Sequence, residues 1–404
     1  MNDVNVDCLV IGAGVAGCSA ALALCAQHSV VIIDRLAEPV PRIGETLPAS
    51  AERMIRRLTL WDEFLSDNHT RTLGSISCWG SSRPTIRDGF LDPSGLGWSL
   101  DRIRFERMFR KAATRRGVRI IAPGQVVNLD RNPLEWIAQI QSADGPQSIA
   151  ARFVILANGR RGFPPVRRAG VDQIAHDKLV CRYVRVPRGV PAPYSAFTVT
   201  EAVEEGWWYA GATADGRRIL AYHTDADMPT ARRACSRSGF LEMLKETYLL
   251  ASCASDQVPD VARASARSQS SVNSYGLGWC AVGDATCAFD PLSSQGLFHA
   301  LFTGISAGEA LADASRRDDT AALANYENTI RGIVTTYRSN LTACYALEKR
   351  FYRNEFWARR QSSKTSWRSG NGAMKGALGN AALLSSSGLR ATPASSETAP
   401  GAFN

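Results

Sequence analysis

The chain has no apolar run long enough to span a bilayer. Its start shows no cationic, apolar export signal, and Asp3 and Asp7 flank the first apolar stretch. Those absences predict a cytoplasmic protein without stable membrane insertion. The 10 cysteines include no Cys-x-x-Cys pair and no Cys/His spacing of a zinc site. Cys8, Cys18, Cys25 and Cys280 fall on apolar stretches, where cysteine packs as a small hydrophobe. The 5 histidines are scattered, so no metal site is expected. Net charge is +9, yet the arginines come as dispersed pairs, Arg56-Arg57 and Arg115-Arg116 among them, without the aromatic interleaving of a nucleic-acid surface. No nucleic-acid partner is expected, while a basic surface suits an acidic partner or a phosphorylated cofactor. No internal repeat is visible. At 404 residues, 45% apolar and 21% charged, the chain has the composition and length of two globular domains plus a tail.

The informative stretch lies at the start, from Asp7 to Leu24. An apolar run, Cys8 to Ile11, reads as a buried parallel strand, and Gly12, Gly14 and Gly17 follow in G-x-G-x-x-G spacing. Small apolar residues from Ala16 to Leu24 carry a helix, and a second apolar run, Val30 to Ile33, ends on Asp34. This is the dinucleotide fingerprint with strand, helix, second strand and acid all in place. Gly12 permits the tight turn, Gly14 lets backbone amides approach a pyrophosphate, and Gly17 lets helix and strand pack closely. The helix start supplies oriented N–H groups for the phosphates. Asp34 stands where a ribose would be held. Gly12, Gly14, Val15, Ala16, Gly17, Asp34 and Arg35 are the candidate cofactor-binding residues of this half.

Farther along, Ala49 to Leu65 reads as one helix with Met54, Leu58, Trp61 and Leu65 on its apolar face. Gly74 to Gly89 reads as short strands, Ile103 to Arg116 as a helix, Val118 to Ile121 as a strand, and Val126 to Ile140 as a hairpin. Arg152 to Ala157 is a buried strand closed by Asn158-Gly159. From Leu179 to His223 strand-like runs and turns alternate, as in an antiparallel sheet. Arg232 to Ala251 and Ala322 to Phe356 read as helical, and from Arg360 the chain turns Ser/Gly/Ala-rich, as a flexible or lightly packed tail.

A second piece of the site follows the strand Cys280 to Val282. Gly283-Asp284 puts an acid at the carboxyl edge of a sheet, where open α/β sheets bind ligands. The turn from Pro291 through Gln295, Gly296 and Leu297 opens a long apolar helix whose first N–H groups suit the electron-rich edge of a flavin.

The fingerprint ending in Asp34, Gly44-Glu45 after Arg42, Asp101-Arg102 before a helix, the strand ending at Asn158-Gly159, and Gly283-Asp284 through Gly296 occur in one order. In this the chain resembles the p-hydroxybenzoate-hydroxylase-like FAD proteins, a superfamily of aromatic hydroxylases, flavin-dependent halogenases and geranylgeranyl-type reductases. The resemblance covers roughly residues 5 to 312. Gly206 to Tyr209 and the strand after Gly216 are most similar to the halogenase branch. Two residues depart from the family pattern: Asn158 stands for an Asp, and Asp34 for a Glu, each keeping its hydrogen-bonding capacity. The resemblance implies an α/β fold, α+β overall. A Rossmann-type FAD-binding domain with a parallel sheet (1–178 and 265–320) would carry an inserted antiparallel-sheet substrate domain (179–264), with part of 74–100 facing it. A helical region (321–359) and the tail (360–404) would follow. It further implies non-covalent FAD, reduced by NAD(P)H or a separate flavin reductase, with O2 as co-substrate. Arg42, Glu45, Arg102, Val126, Gly159, Gly283, Asp284, Pro291, Gln295, Gly296 and Leu297 would join the cofactor site. Glu45, Pro291 and Ser293 are the candidates for catalysis.

The chemistry then narrows. Flavin halogenases pass hypohalous acid through a Lys near the end of the fingerprint domain and usually carry a Trp-x-Trp-x-Ile-Pro motif. Here the first lysine is Lys111, the expected strand reads Ser75 to Gly80 without one, and Trp207-Trp208 is followed by Tyr209, Ala210 and Gly211. No convincing aromatic–Pro signature of the reductases is found. An FAD-fold binding or escort module is the non-enzyme alternative, against which the intact glycines and Asp284 argue. Hydroxylation of an aromatic ring through a flavin C4a-hydroperoxide is therefore expected. The Gly44 to Pro48 turn and the Gly206-Trp207-Trp208 segment are similar to flavoproteins that hydroxylate a tryptophan in a partner protein during quinone cofactor biogenesis. The expected partner is thus an aromatic substrate, such as a peptide or protein carrying Trp. Tyr183, Phe197, Trp207, Trp208 and Tyr209, with Arg182 and Arg185, are the surface that could receive it, although aromatic residues in strands usually bury.

Overall fold

The computed structural model describes residues 3–160, 173–187 and 194–361. Its first sheet is 8-stranded. At its centre the strands Trp279–Ala281, Gly145–Leu156, Asp3–Ile11, Val30–Ile33 and Arg119–Ile121 lie side by side and parallel. The apolar run at residues 8–11 is continuous because both faces of its strand are covered. Cys8 and Val10 pack toward the helix Val15–Leu24, while Leu9 and Ile11 pack toward the hairpin Gly124–Arg131/Trp136–Ser142. The strand read from sequence as Arg152 to Ala157 is longer, Gly145–Leu156, because its first half pairs with that hairpin.

The long helix Gly296–Arg317 lies across Val15–Leu24 at a contact made of missing side chains. A Cβ on Gly304 would fall 2.4 Å from the Ala16 carbonyl oxygen, and one on Gly308 2.7 Å from that of Ala20. Glycine here sets how close the two helices, and hence their N-termini, can come.

The second sheet is 7-stranded, in the order Ala262–Ser265, Leu179–Val186, Arg218–Asp225, Gly206–Ala212, Phe197–Val203, Gly74–Cys78 and Thr85–Asp88. All neighbours are antiparallel except Gly74–Cys78 against Phe197–Val203. The two-residue period of a strand sends Trp207 and Trp208 to opposite faces. Trp208, Ala210, Leu220 and Tyr222 pack with Phe240, Met243 and Leu244 of the helix Arg237–Lys245. Trp207, Cys181, Ile219 and Ala221 form the other face with Trp79, Tyr345, Phe356 and Trp357.

Several helices differ from their sequence reading. Ala49 to Leu65 is not one helix: a turn of 3-10 helix at Ala49–Ala51 leads to Glu52–Arg57, and Trp61–Ser66 starts afresh. Thr59 lies between them with φ +55°, a left-handed conformation that no helix continues through. Leu65, expected on the apolar face, is exposed. Arg232 to Ala251 is split into Pro229–Arg233 and Arg237–Lys245, because Ser236 caps the second by accepting the Gly239 N–H. The region from Ala322 divides into Ala321–Ala346 and Glu355–Gln361. The last helix runs past residue 360; the rest of the expected tail lies outside the described residues. Among those residues no helix is long and apolar enough to cross a membrane.

Candidate active site

Between the carboxyl edge of the first sheet and the inner face of the second lies a cavity of about 400 Å³. Gly14, Val15, Ala16, Arg42, Arg102, Gly159, Asp284, Pro291, Ser293, Gln295, Gly296 and Leu297, all singled out from sequence, line it. The fingerprint glycines divide the work. Gly12 has φ +116°, and a Cβ there would fall 2.4 Å from the Ala157 carbonyl oxygen. A Cβ on Gly17 would come 2.0 Å from the Gly12 oxygen. A Cβ on Gly14 would meet nothing within 4 Å: its missing side chain leaves room in the cavity.

Two helix N-termini open into this space. Val15–Leu24 and Gly296–Arg317 both start without a side-chain cap and without an acid in the first turn. Their free N–H groups and positive dipole ends therefore face whatever fills the cavity. Gly283, with φ +59°, brings its turn to 2.8 Å (as a Cβ would measure it) from the Ala16 side chain, and Asp284 beside it lines the wall, paired with Arg160 at 3.2 Å.

The remaining expected residues act from behind or stand off the cavity. Asp34 accepts the Ala13 N–H at 2.6 Å and the Leu36 N–H at 2.8 Å and pairs with Arg110 at 3.3 Å, so its carboxylate pins the glycine turn. Arg35 is exposed. Val126 is buried in the apolar layer beneath the sheet. Glu45 is buried and off the lining. It accepts the Gly44 N–H at 3.0 Å and lies 3.7 Å from Arg185, and burial pushes its carboxyl up against the pull of Arg102 and Arg185. Arg42 and Arg102 converge on Glu106 at 3.1 and 2.5 Å. Glu106, which pattern reading passed over, holds both guanidiniums at the cavity edge.

The inner end was missed in larger part. Cys181, Trp207, Tyr209, His223, Phe289 and Asp290 line it. Trp207 stacks on His223 with centroids 3.8 Å apart, and its Nε1–H donates to the Tyr345 hydroxyl at 3.2 Å. Tyr345 in turn donates to Asp290 Oδ2 at 2.8 Å. The Leu292 N–H reaches Asp290 Oδ1 at 2.9 Å. Burial raises the Asp290 carboxyl to about 6 and lowers the His223 imidazole to about 3. Strand alternation could have placed Trp207 and His223 on one face; nothing local could have brought Tyr345 to Asp290.

The profile of the tryptophan halogenase family matches residues 80–369. The chain belongs to the tryptophan halogenase family. LodB of Marinomonas mediterranea, an FAD-dependent oxidoreductase by name, is 27% identical over 367 residues, 89% of this chain and 97% of its own. The flavin-dependent halogenase CmlS superposes with a TM-score of 0.78 at 22% identity, over 90% of this chain and 68% of that one. The peptidyl tryptophan dihydroxylase QhpG, described as essential for tryptophylquinone cofactor biogenesis, gives 0.68 at 23% identity, over 90% and 80%. Such structures speak for the fold. As a member of the tryptophan halogenase family the chain is an FAD-dependent oxidoreductase, using FAD with O2 and reduced flavin supplied by a reductase. The site fits that cofactor: Gly14 leaves space at an uncapped helix start, a second uncapped helix faces it, and Asp284 offers a hydroxyl acceptor between them.

Proposed function

We propose that this family member hydroxylates an aromatic ring, and that its substrate is a tryptophan residue of a partner peptide or protein undergoing quinone cofactor maturation. The observation that carries hydroxylation over halogenation is the cavity lining, which holds arginines, histidine, aromatics and carboxylates but, among the described residues, no lysine. The strand Gly74–Cys78, where a halogenating lysine is expected, turns Ile76 and Cys78 into the apolar core instead. FAD, when bound, supplies two-electron reduction and the activation of O2. Gly14, Val15, Ala16, Asp284 and the turn Pro291–Leu297 would hold it, with Arg42 and Arg102 at its edge.

The protein's own part is to seat a flat ring, keep water out and manage a proton. Trp207, Tyr209 and Phe289 supply aromatic walls, and Thr46 fixes Tyr209 by a 2.8 Å hydrogen bond between hydroxyls. Ile43 and Leu297 close the space with apolar surface. An aromatic carbon that gains oxygen must shed a proton. Asp290, raised to about 6, is ionised at neutral pH and close enough in affinity to accept it at its carboxylate. A peptidyl tryptophan is favoured by the similarity to QhpG together with the resemblance of the Gly44 to Pro48 turn. We place the FAD-binding domain at 1–178 and 265–320 and the substrate domain at 179–264, with Gly74–Cys78 and Thr85–Asp88 joining the substrate domain's sheet.

The test supplies the flavin-loaded protein with a reductant, labelled oxygen gas and the tryptophan-bearing partner polypeptide, in the presence of chloride and bromide. Mass spectrometry should find label in a tryptophan of the partner. A halogenated product, or a substrate that gains two hydrogens and no oxygen, would refute the reading.

A further inference from the structure

The substrate-facing sheet ends on the strand Ala262–Ser265, which pairs with Leu179–Val186 and, among the described residues, with no other strand. An edge strand leaves one row of N–H and C=O groups unused, and the register shows which. The Ala266 N–H donates to the Leu179 carbonyl at 3.3 Å. Hydrogen-bonded and non-hydrogen-bonded pairs alternate along an antiparallel ladder. Ala264, opposite Cys181, therefore also bonds inward, and the backbone groups of Arg263 and Ser265 point out from the sheet. Both residues are exposed. This edge, unlike the one at Thr85–Asp88, adjoins the cavity: Ala264, Ser265 and Ala266 line it. Side chains alternate along the strand as well. Ala264 lies on the cavity face with Cys181, while Arg263 lies on the other face, directly opposite Arg182. That pair is of the non-hydrogen-bonded kind, in which side chains come closest, and like charges so placed are destabilising. Neither guanidinium has an ion-pair or hydrogen-bond partner among the described residues.

We propose that this edge receives the partner polypeptide as an added antiparallel strand, and that Arg263 and Arg182 select an acidic residue just after the one delivered to the cavity. The inference deepens the hydroxylase reading and rests on it for the identity of the delivered residue, a tryptophan. A residue placed opposite Ala264 sends its side chain to the cavity face. Its two neighbours exchange backbone hydrogen bonds with Ser265 and Arg263, the means by which an extended peptide joins a sheet. In antiparallel addition the residue that follows is the one opposite Arg263. Its side chain lies on the arginine face, so an Asp or Glu there relieves the repulsion between Arg182 and Arg263, and a Lys or Arg compounds it. The net charge of +9 favours a partner of the same acidic character. A second copy of this chain fits the edge less well, since it would bring its own arginines to the same row.

The probes are short blocked peptides with one Trp, followed by either Glu or Lys. Binding to the flavin-loaded full chain is read by the fluorescence anisotropy of a label on the peptide end. At low salt the Trp-Glu peptide should bind at least about fivefold more tightly than the Trp-Lys peptide, and high salt should shrink the difference. Arg263→Glu should reverse the preference, while free indole, read from the perturbation of the flavin absorption, binds both proteins alike. The backbone is tested on the unaltered protein. One N-methyl group on the residue before or after the Trp should weaken binding roughly tenfold, through a lost hydrogen bond and a blocked edge. The same group on the Trp itself should change binding by no more than about twofold, because that N–H points away from the edge. Equal affinity for the Glu and Lys peptides, N-methyl effects that do not depend on position, or no binding of any peptide overturns the proposal. So does a dimer of the chain, seen in sedimentation, that the Trp-Glu peptide fails to dissociate. If Arg263→Glu does not hold flavin, the peptide series on the wild type decides. This failure is separable from that of the hydroxylase reading. The expected peptide pattern with a halogenated product leaves the edge standing, whereas labelled oxygen entering tryptophan with no preference for a following acid removes only the edge.

Discussion

Gly14 and Gly17 sit on the same turn and lack side chains for opposite reasons. The space beside Gly14 is open and belongs to the cavity, whereas the space beside Gly17 is filled by the Gly12 carbonyl at 2.0 Å from a would-be Cβ. Gly14→Val should therefore leave a folded protein, with wild-type far-ultraviolet dichroism, that no longer retains FAD. Gly17→Val should lower the yield of folded protein itself, since backbone would have to move. A Gly14→Val protein that stays yellow would contradict the assignment of that space to the cofactor. Asp284 invites a graded test. Its replacement by Ala should weaken FAD by roughly 1–3 kcal/mol, the cost of removing a polar partner from a partly enclosed site, read by flavin fluorescence on dilution. Unchanged affinity would place the cofactor's hydroxyls elsewhere. These residues were legible because each is set by local backbone geometry that a short motif encodes. Asp34 was half legible: the motif placed it at the strand's end beside the Ala13 turn, but its pairing with Arg110 depends on the helix Arg102–Arg115 farther along the chain.

The turn from Asp290 to Gly296 shows what an element adds to its residues. Asp290 caps it, Ser294 takes φ +51°, and the helix after it starts at the cavity wall. The cap is buried at a cost. Folded Asp290 holds its proton up to about pH 6, against the usual 3.8. Between those values the folded state binds more protons than the unfolded chain. Its contribution therefore favours folding below about pH 4 and is lost as pH rises toward 6. Asp290→Asn removes this dependence. Between pH 4 and pH 7 the wild type should lose about 2 kcal/mol of stability relative to the variant, measured by urea unfolding at both values. Any constant penalty of the amide at Tyr345 cancels in that difference. A gap that does not change with pH would show that the carboxyl is ionised throughout. Hydrophobic period and caps made most elements readable, Arg102–Arg115 and Gly296–Arg317 among them. The breaks at Thr59 and Ser236 were not, because a single left-handed residue or a single capping hydroxyl barely disturbs a periodicity.

At the scale of the molecule, the dinucleotide unit and the antiparallel run of strands could be read from spacing, while the fold as a whole and much of the cofactor half came from the family resemblance. The inner end of the cavity could be read from neither, since it is made by contacts between residues 207, 223, 290 and 345 that no local pattern links. The same holds for the way the chain's last described helix closes the structure. Glu355–Gln361 returns to the substrate-facing sheet, where Arg360 meets Asp225 at 2.6 Å and lies 3.7 Å over the Phe356 ring and 5.2 Å over that of Tyr345. Asp225 and Arg360 are both largely buried, their side chains 3% and 10% exposed. Removing one partner of such a pair leaves the other charge enclosed, which usually costs 3–5 kcal/mol. Arg359 still reaches Asp225 at 3.0 Å, so Arg360→Ala should cost about 3 kcal/mol, toward the low end of that range. The loss should fall unevenly. Tyr345 would lose the cation above its ring, and with it part of the support for Trp207 and Asp290. The fingerprint turn and the start of Gly296–Arg317 make no contact with Arg360 among its recorded partners. FAD affinity, read by flavin fluorescence, should therefore stay near wild type while the urea midpoint drops and indole binding weakens. If FAD is released in step with the fall in stability, the two ends of the cavity are one cooperative unit, and the separation drawn here between a cofactor half and a substrate half is wrong.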